Sequence, residues 1–136
     1  MTTPDHAVQV ELRVPFHDCD PLAVVWHGRY FQYLEASRTE LFRSCRLDVS
    51  DMVELGLRMF VTDARCRYNH PLGYGDRFVV GCWFSERSPL LRVSYDVMNL
   101  TRGRRSARAY TRLALTDRDG ELLKEIPEVV RERLPQ

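Results

Sequence analysis

One helical segment followed by four strand-like segments limits the fold of this chain more than any other feature. Apolar residues recur at helical spacing over residues 28–46, and a pattern with a period of two precedes them over residues 8–16. Alternation returns in four later segments, at residues 59–69, 78–85, 91–97 and 106–116. Because the order β-α-β-β-β-β contains no alternating βαβ units, it predicts an α+β fold.

The long helical segment is apolar over more than one narrow face. Its apolar stripe contains Phe31, Leu34, Leu41, Phe42 and Cys45, and it is widened by Tyr30, Tyr33 and Ala36. Such breadth favours a helix covered by a sheet over a helix that lies on a surface. A shorter helix is predicted from Ser50 as its N-cap to Gly56 as its stop, and a short amphipathic helix is predicted after Pro127.

Composition and charge exclude several classes of function. Residues 1–136 are expected to form a single domain, large enough for a core and small enough that a second subunit could complete a site. The 44% hydrophobic and 29% charged content is that of an ordinary globular protein, and a net charge of +1 gives no global attraction to nucleic acid or membranes. The N-terminus lacks a signal-peptide pattern and no apolar run reaches membrane-spanning length, so a cytoplasmic location is expected.

Neither the cysteines nor the clustered acids predict a metal or redox centre. The four cysteines are widely spaced and form no Cys-x-x-Cys pair, which disfavours a zinc knuckle or a redox dithiol. His17, Asp18, Asp20 and His27 do not match a standard set of metal ligands. No metal and no cofactor is therefore expected. The thiol of Cys19 lies between two acids and is expected to be a poor nucleophile.

Several short motifs resemble a known family of enzymes. The run Asp18-Cys19-Asp20-Pro21, the segment Val24-Val25-Trp26-His27, Tyr30, the helical Glu35-Ala36-Ser37-Arg38 and the turn at residues 69–76 resemble the signature of hotdog-fold acyl-CoA thioesterases. The similarity is to 4-hydroxybenzoyl-CoA thioesterase and its Tol-Pal-associated relatives. It implies a curled antiparallel sheet wrapped around one long central helix, in a dimer or tetramer with sites at the subunit interfaces. One departure is Ala23, where the family usually has glycine.

Asp20 is the main catalytic candidate. By spacing alone, two acids within three residues are commonly a solvated turn whose carboxylates cap backbone N–H groups. The resemblance assigns catalysis to the second acid of Asp-x-Asp-Pro, which is Asp20, either as nucleophile on the thioester carbonyl or as general base for water. Asp18 is expected to hold the backbone of the loop. Backbone N–H groups at the helix start, near His27 and Gly28, would stabilise the oxyanion.

The remaining site candidates lie near the helix start and at a distant turn. His27 is a second catalytic candidate because histidine titrates near neutral pH, and the alternative is a helix-entry histidine satisfied by a carbonyl. The substrate-binding candidates are Trp26, Gly28, Tyr30, Arg104 and Arg105. The two aromatic rings, together with Tyr68 and Trp83, could line an acyl pocket or belong to the core.

The arginines after the turn at residues 101–104 have two interpretations. Residues 104, 108 and 112 are expected to share one strand face, at a period of two, and such a basic stripe could grip the phosphates of coenzyme A. The alternative is a solvated outer face that discourages aggregation. Arg104 and Arg105, beside the turn, are the candidate phosphate contacts.

The sequence and the resemblance together predict an acyl-CoA thioesterase that releases a free acid and coenzyme A. Two other functions remain open. A hotdog dehydratase acting on acyl thioesters would use His27 as its main base, and a non-catalytic module would bind an acyl group or a partner without turnover. The sequence does not identify the acyl group, and it does not choose between coenzyme A and an acyl carrier protein as the thiol carrier.

Overall fold

A computed structural model describes residues 3–135, so the ends of the predicted domain, Met1, Thr2 and Gln136, lie outside the described residues. Within this range the strands are β1 (Val8–Arg13), β2 (Arg58–Tyr68), β3 (Arg77–Glu86), β4 (Leu91–Asn99) and β5 (Arg104–Thr116). The α-helices are α1 (Tyr30–Ser44), α2 (Val49–Glu54) and α3 (Glu128–Arg133). The strands form one sheet in the order β1-β3-β4-β5-β2, with every neighbouring pair antiparallel. The predicted α+β class is confirmed.

The strands β3 and β4 lie in the interior of the sheet, each with a neighbouring strand on both sides. In β3 nearly every residue from Phe78 to Phe84 is buried, which is typical of a strand covered on both faces. In β4 burial is complete at alternate positions, namely Leu91, Val93, Tyr95 and Val97. The central position predicted for the β3 segment is confirmed.

The helix α1 packs on the concave side of this sheet. The ring of Tyr33 lies 4.9 Å from that of Phe78, and Phe42 stacks on Phe84 at 5.6 Å. Between these two contacts, the buried hydroxyl of Ser37 donates a hydrogen bond to the Val80 carbonyl, 3.3 Å away. The sheet therefore covers the helix along most of its length, as the apolar stripe predicts. Phe31, which the predicted stripe includes, is 40% exposed and lies outside the buried face.

The second helix begins earlier than its sequence pattern predicts. Asp48, and not Ser50, is the N-cap of α2. Its carboxylate accepts from the Val49 amide at 2.8 Å, while the Asp51 carboxylate accepts from the Asp48 amide at 3.0 Å. The Ser50 prediction is wrong because these two acids complete a reciprocal capping box, which satisfies more N–H groups than a single serine.

The first strand is shorter than predicted, and Phe16 does not continue its buried face. The strand ends at Arg13, and Phe16 is 75% exposed in a single 3-10 turn. The cause is a change of partner at Val14, whose amide donates to the Asp76 carbonyl at 2.9 Å instead of to β3. Pro15 then lacks an N–H with which to resume the ladder.

A β-bulge in β5 corrects the predicted arginine stripe. Arg105 lies opposite Met98 and Ala107 lies opposite Val97, so Ser106 is an extra residue in β5. The extra residue reverses the alternation of side chains along the strand. Arg104 is therefore on the opposite face from residues 108 and 112, and the prediction that the three share one face is wrong.

The strand β2 forms one edge of the sheet. It is 11 residues long and pairs with β5 alone among the described residues. Its exposed side chains include Phe60, Val61 and Tyr68, which are large and apolar or aromatic. Within residues 3–135, no helix is long and apolar enough to cross a membrane.

Candidate active site

The acid-bearing loop folds into a small hairpin immediately before the helical region. The Asp20 amide donates to the Val24 carbonyl at 2.8 Å, and the Trp26 amide donates to the Asp18 carbonyl at 3.1 Å. Cys19 and Val25 form the bridge between these two bonds. The hairpin therefore places Asp20 beside the stretch of chain that enters the helix.

This hairpin is fastened to the turn at residues 69–76, one of the motifs on which the family resemblance rests. The Val25 amide donates to the Leu72 carbonyl at 2.8 Å, and the Tyr74 amide donates to the Ala23 carbonyl at 3.1 Å. Val24 and Gly73 form an isolated bridge between the same two segments. Two motifs that lie about fifty residues apart in the sequence thus form one hydrogen-bonded unit.

The turn at residues 69–76 is itself held by a buried acid. The Asp76 side chain is 5% exposed, and its Oδ2 accepts from the Gly73 amide and from the Asn99 side-chain amide, each at 2.8 Å. Gly75 has a φ of +80°, which glycine adopts without steric cost. The Asp76 carboxylate thus supplies the hydrogen-bond acceptor that the Gly73 amide of this tight turn would otherwise find in water. The hairpin packs against this turn. Asp76 belongs to the motif at residues 69–76, but its bond to Asn99 was not predicted, because this bond joins a turn to the end of β4.

Ala23 occupies the hairpin position that explains the departure from the family pattern. Its φ is +64°, in the left-handed region that non-glycine residues rarely adopt. Its amide donates to the Asp20 carbonyl at 2.9 Å, which closes the turn of the hairpin. The conformation is therefore the one that glycine would supply, and the alanine holds it at a steric cost.

Asp18 is the buried acid of the pair, and it connects the hairpin to α1. Its Oδ2 accepts from the Tyr33 hydroxyl at 2.6 Å, while its Oδ1 lies 3.6 Å from Arg29 Nε and 3.4 Å from His17 Nε2. Burial and the bond to Asp18 raise the pKa of the Tyr33 phenol well above its usual range, so the hydroxyl remains a donor. Asp18 was predicted to hold the backbone of the loop, but its carboxylate contacts three side chains instead. The part played by Tyr33 was not foreseen.

Asp20 is half-buried and has a different environment. Its Oδ1 accepts from the Leu22 amide at 2.9 Å, a local bond within the turn. Among residues 3–135 its carboxylate has no ion-pair partner, unlike that of Asp18. One carboxylate oxygen is thus occupied by the turn, and the group retains a second oxygen that can act on a substrate.

The helical region begins with a 3-10 turn, His27–Arg29, that leads directly into α1. Trp26 precedes this turn, and no side chain within the described residues caps it. The first N–H groups of a helix have no intrahelical partner, and the positive end of the helix dipole adds to their field. A Cβ at Gly28 would overlap the ring of Trp26, which lies over this glycine.

Beside this helix start is a small cavity of about 200 Å³, lined by Val25, His27, Tyr30, Tyr68 and residues 69–71. The Tyr68 hydroxyl donates to the His27 carbonyl at 2.9 Å, and burial raises the pKa of this phenol to about 12. The Tyr30 hydroxyl accepts from the Leu72 amide at 3.2 Å. Tyr30 therefore holds the turn at residues 69–76 against the helix, and it also lines the cavity.

The other predicted substrate-binding residues do not all lie together. Trp26 is 53% exposed and its ring lies 5.2 Å from that of His27. Arg104 is exposed at the start of β5, two residues before the bulge residue Ser106. Arg105 binds Asp96, at 2.7 Å through its Nε, on the outer face of the sheet. The fold therefore brings Trp26, His27, Gly28 and Tyr30 together at the helix start. Arg105 instead binds Asp96.

The described part of the chain contains no cluster of three or more His, Cys, Asp or Glu residues that could hold a metal ion. The Cys19 thiol lies 3.7 Å from the Pro15 carbonyl oxygen. Burial and the carboxylates of Asp18 and Asp20 raise the pKa of this thiol, in the predicted direction. The groups at and beside the hairpin include the carboxylates of Asp18 and Asp20, the imidazoles of His17 and His27, and backbone N–H groups.

A curled antiparallel sheet around one long helix is the hotdog fold, and an acid-bearing hairpin stands at the start of its helix. Residues 14–134 match the model of the thioesterase-like superfamily. The chain belongs to this superfamily. The fold, the family and the class of chemistry that the sequence motifs implied are confirmed.

Individual relatives agree with this assignment. A Synechocystis sp. protein named "Putative esterase sll0410" is 30% identical over 128 residues, which cover 93% of this chain and 77% of that protein. The crystal structure of the protein AQ1494 from Aquifex aeolicus is 32% identical and covers 93% of this chain and 98% of that chain, with a TM-score of 0.83. An aspartate-to-asparagine mutant of 4-hydroxybenzoyl-CoA thioesterase, complexed with 4-hydroxybenzoyl-CoA, has a TM-score of 0.83 at 22% identity, with coverages of 95% and 99%. At that identity the likeness is one of fold.

Proposed function

We propose that this chain hydrolyses an acyl-CoA thioester, with Asp20 as its catalytic carboxylate and the backbone N–H groups near His27 and Gly28 as oxyanion donors. The observation that carries the proposal is the hairpin. Its two hydrogen bonds, between Asp20 and Val24 and between Trp26 and Asp18, support the proposal because they hold Asp20 beside the segment that leads into an uncapped helix start.

Two routes use the same groups. In the first, an Asp20 oxygen forms a bond to the thioester carbonyl carbon, the C–S bond breaks, and the departing thiolate takes up a proton. Water then cleaves the mixed anhydride and restores the carboxylate. In the second route the carboxylate removes a proton from water as it attacks the same carbon. Either route converts thioester and water into acid and thiol.

The helix start acts on the oxygen of the carbonyl in both routes. Negative charge develops on that oxygen as the tetrahedral species forms, and fixed N–H donors stabilise it more than they stabilise the neutral carbonyl. One donor of this kind typically contributes about a hundredfold to a thousandfold in rate. Because these donors belong to the main chain, the His27 side chain is not required for them.

We further propose that the protein works as a dimer or tetramer in which β2 is an interface. Within residues 3–135, this 11-residue strand pairs with another strand on one side only, and Phe60 and Val61 are exposed on it. A long exposed edge strand with apolar side chains is a ready site for pairing with a second chain. Tyr68 lies on the same strand and touches the helix start, so such pairing would bring the second copy to the edge of the site.

Arg104 is proposed as a contact for the phosphates of coenzyme A. It is exposed, and it lies close in the chain to Ser106, whose carbonyl accepts from the amides of Asn69 and His70. Those two residues line the cavity beside His27. Arg105 was an equal candidate by sequence, but its hydrogen bonds to Asp96 favour a structural role.

The test is thiol release from a panel of acyl-CoA substrates by wild-type protein and by Asp20→Asn. The asparagine retains an oxygen that can accept from the Leu22 amide, so the fold should persist. We expect kcat to fall by at least about a hundredfold, the usual scale of a lost base or nucleophile. Asp119→Asn, in an exposed turn, is the matched control and should retain full activity.

The rival functions predict other outcomes of the same assay. A dehydratase would be damaged more by His27→Ala than by Asp20→Asn, and a binding module would release no thiol from any substrate. Full activity in Asp20→Asn would overturn the proposal. Circular dichroism and sedimentation of each variant separate lost chemistry from lost fold or assembly.

A further inference from the structure

Two cavities lie at opposite ends of the same seam, between the helix α1 and the edge strand β2. We call this the α1–β2 seam. The smaller cavity adjoins His27 and Tyr68, at the reaction end. The larger one, about 470 Å³, is closed from the side by α2, and its lining includes Thr39, Phe42, Met52, Leu57, Met59 and Val61. Its volume lies within the range of about 300–1,000 Å³ that is typical of small-molecule sites.

The direction of the seam follows from the contacts at its two ends. At the start of α1, the Tyr30 ring lies 4.9 Å from the Tyr68 ring at the end of β2. At the far end, Phe42 of α1 and Met59 of β2 line the same cavity. The helix and the strand therefore run in opposite directions along the seam. At 1.5 Å per residue, the distance from Tyr30 to Phe42 along the helix is about 18 Å.

The lining of the larger cavity is mostly apolar, and two of its polar side chains already have partners. Arg38 donates to the Tyr95 hydroxyl at 3.4 Å, and Asp48 both caps α2 and binds Arg43 at 3.0 Å. Two methionines, Met52 and Met59, contribute flexible side chains that adapt to an irregular occupant. A saturated hydrocarbon chain requires no hydrogen bonds and suits such a lining.

We propose that the α1–β2 seam binds the tail of an unbranched, medium-length to long aliphatic acyl thioester. The carbonyl lies at the helix start, and the methyl end lies in the larger cavity. A single-ring aromatic acyl group would end near Tyr68 and leave the larger cavity empty. This inference rests on the proposed function, and it gives that function a substrate class: aliphatic chains, in preference to hydroxyaromatic ones.

The first experiment measures kcat/KM of the full-length protein for acetyl-, butyryl-, octanoyl-, dodecanoyl- and palmitoyl-CoA, and for benzoyl- and 4-hydroxybenzoyl-CoA. We expect kcat/KM to rise by about three- to fourfold for each added methylene until the tail fills the seam, because each buried methylene contributes a constant increment. A profile that is flat with chain length, or highest for an aromatic ester, overturns the inference but leaves the proposed function intact. Release of no thiol from any ester overturns both.

The second experiment fills the larger cavity. Thr39 lines the cavity, so the indole of Thr39→Trp would take up part of its volume. We expect the ratio of dodecanoyl- to acetyl-CoA activity to fall by at least about tenfold, which corresponds to two buried methylenes. Val53→Trp, on an exposed residue that also lines the cavity, should lower the same ratio and serves if Thr39→Trp does not fold. Glu54→Trp is the matched control, since this exposed neighbour does not line the cavity, and it should leave the ratio unchanged.

The variants also test a second copy of the chain as the occupant of the larger cavity. In that case Thr39→Trp or Val53→Trp would shift the sedimentation profile toward the monomer and leave the chain-length ratio unchanged. That result, or an unchanged ratio in both variants, overturns the inference. A lowered ratio with unchanged assembly, together with an unaffected Glu54→Trp, supports it.

Discussion

The hairpin at residues 18–26 and the strand β2 differ in how fully their backbone and side-chain groups are paired or buried within one chain. The hairpin satisfies its backbone groups internally and against the turn at residues 72–76, and its buried acid Asp18 is bound by Tyr33. Along β2, no other strand in the described part of the chain pairs with one side, and Phe60 and Val61 are exposed. The hairpin, which bears the proposed catalytic acid, is therefore held by contacts within one chain. The strand β2, which borders the proposed acyl tail and the proposed partner, retains an open edge and exposed apolar side chains.

If the hairpin is fixed mainly by its buried acid, Asp18→Ala should have the largest effect after the loss of Asp20 itself. It leaves the Tyr33 hydroxyl without its acceptor, which should lower the free energy of unfolding by about 1–3 kcal/mol. The proposed catalytic carboxylate lies two residues away, and small misplacements of reacting groups are costly. We therefore expect kcat to fall more than KM changes, as measured by urea unfolding and thiol-release kinetics.

The variant Tyr33→Phe removes the donor of the same hydrogen bond, the Tyr33 hydroxyl on α1. It removes only the hydroxyl, so it should reproduce the loss of kcat while the aromatic packing on Phe78 persists. Asp119→Ala is the control, and its exposed position should limit its effect on stability to about 0.5 kcal/mol. Unchanged kcat in both Asp18→Ala and Tyr33→Phe would mean that other contacts fix the hairpin.

The proposed interface at β2 is tested by placing a charge on this edge strand. In Phe60→Lys a lysine replaces an exposed ring on β2, and lysine on an edge disfavours pairing with another chain. We expect the dissociation constant of the assembly to rise by at least about tenfold, or 1.4 kcal/mol, in analytical ultracentrifugation. Gln9→Lys places the same charge on β1, the opposite edge of the sheet, and should not change it. Equal effects of the two variants would show that β2 is not the interface.

A smaller effect is expected inside the hairpin, at the left-handed residue. Ala23→Gly relieves the strain of a positive φ and should raise the free energy of unfolding by about 0.5–1 kcal/mol. The control Ala36→Gly, in the middle of α1, should lower it by about 1 kcal/mol, because glycine is a poor helix former. Urea titration measures both. The same sign for the two variants would indicate that the hairpin has relaxed this strain in another way.

The smallest effect is expected at Cys19. Its raised pKa means that a smaller fraction of the thiol is ionised at any given pH than in free cysteine, so alkylation by iodoacetamide at pH 8 should be slower. Cys19→Ser should leave kcat/KM within about twofold, since a thiol held protonated contributes no nucleophile. Rapid alkylation that also abolishes activity would assign the chemistry to the thiol instead of Asp20.

Local pattern was sufficient for most elements and insufficient where two distant segments meet. The β3 and β4 segments and the apolar stripe of α1 were predicted because alternation and helical spacing are properties of neighbouring residues. The early end of β1 was not predicted, since it depends on a bond between Val14 and Asp76. The bulge at Ser106 was missed for the same reason, and with it the separation of Arg104 from the later arginines.

The sequence by itself determined the order of the elements, the helix that must be covered, and the motifs that identify the thioesterase-like superfamily. These follow from the periodicity of side chains and from residue types that neighbouring positions require. Only the tertiary structure decided that Asp18 is the buried, bonded acid and Asp20 the one with a free oxygen, because burial depends on Tyr33 and α1 closing over the loop. It also decided where an acyl chain has room, since the α1–β2 seam is bounded by residues that come together only when the sheet curls around its helix.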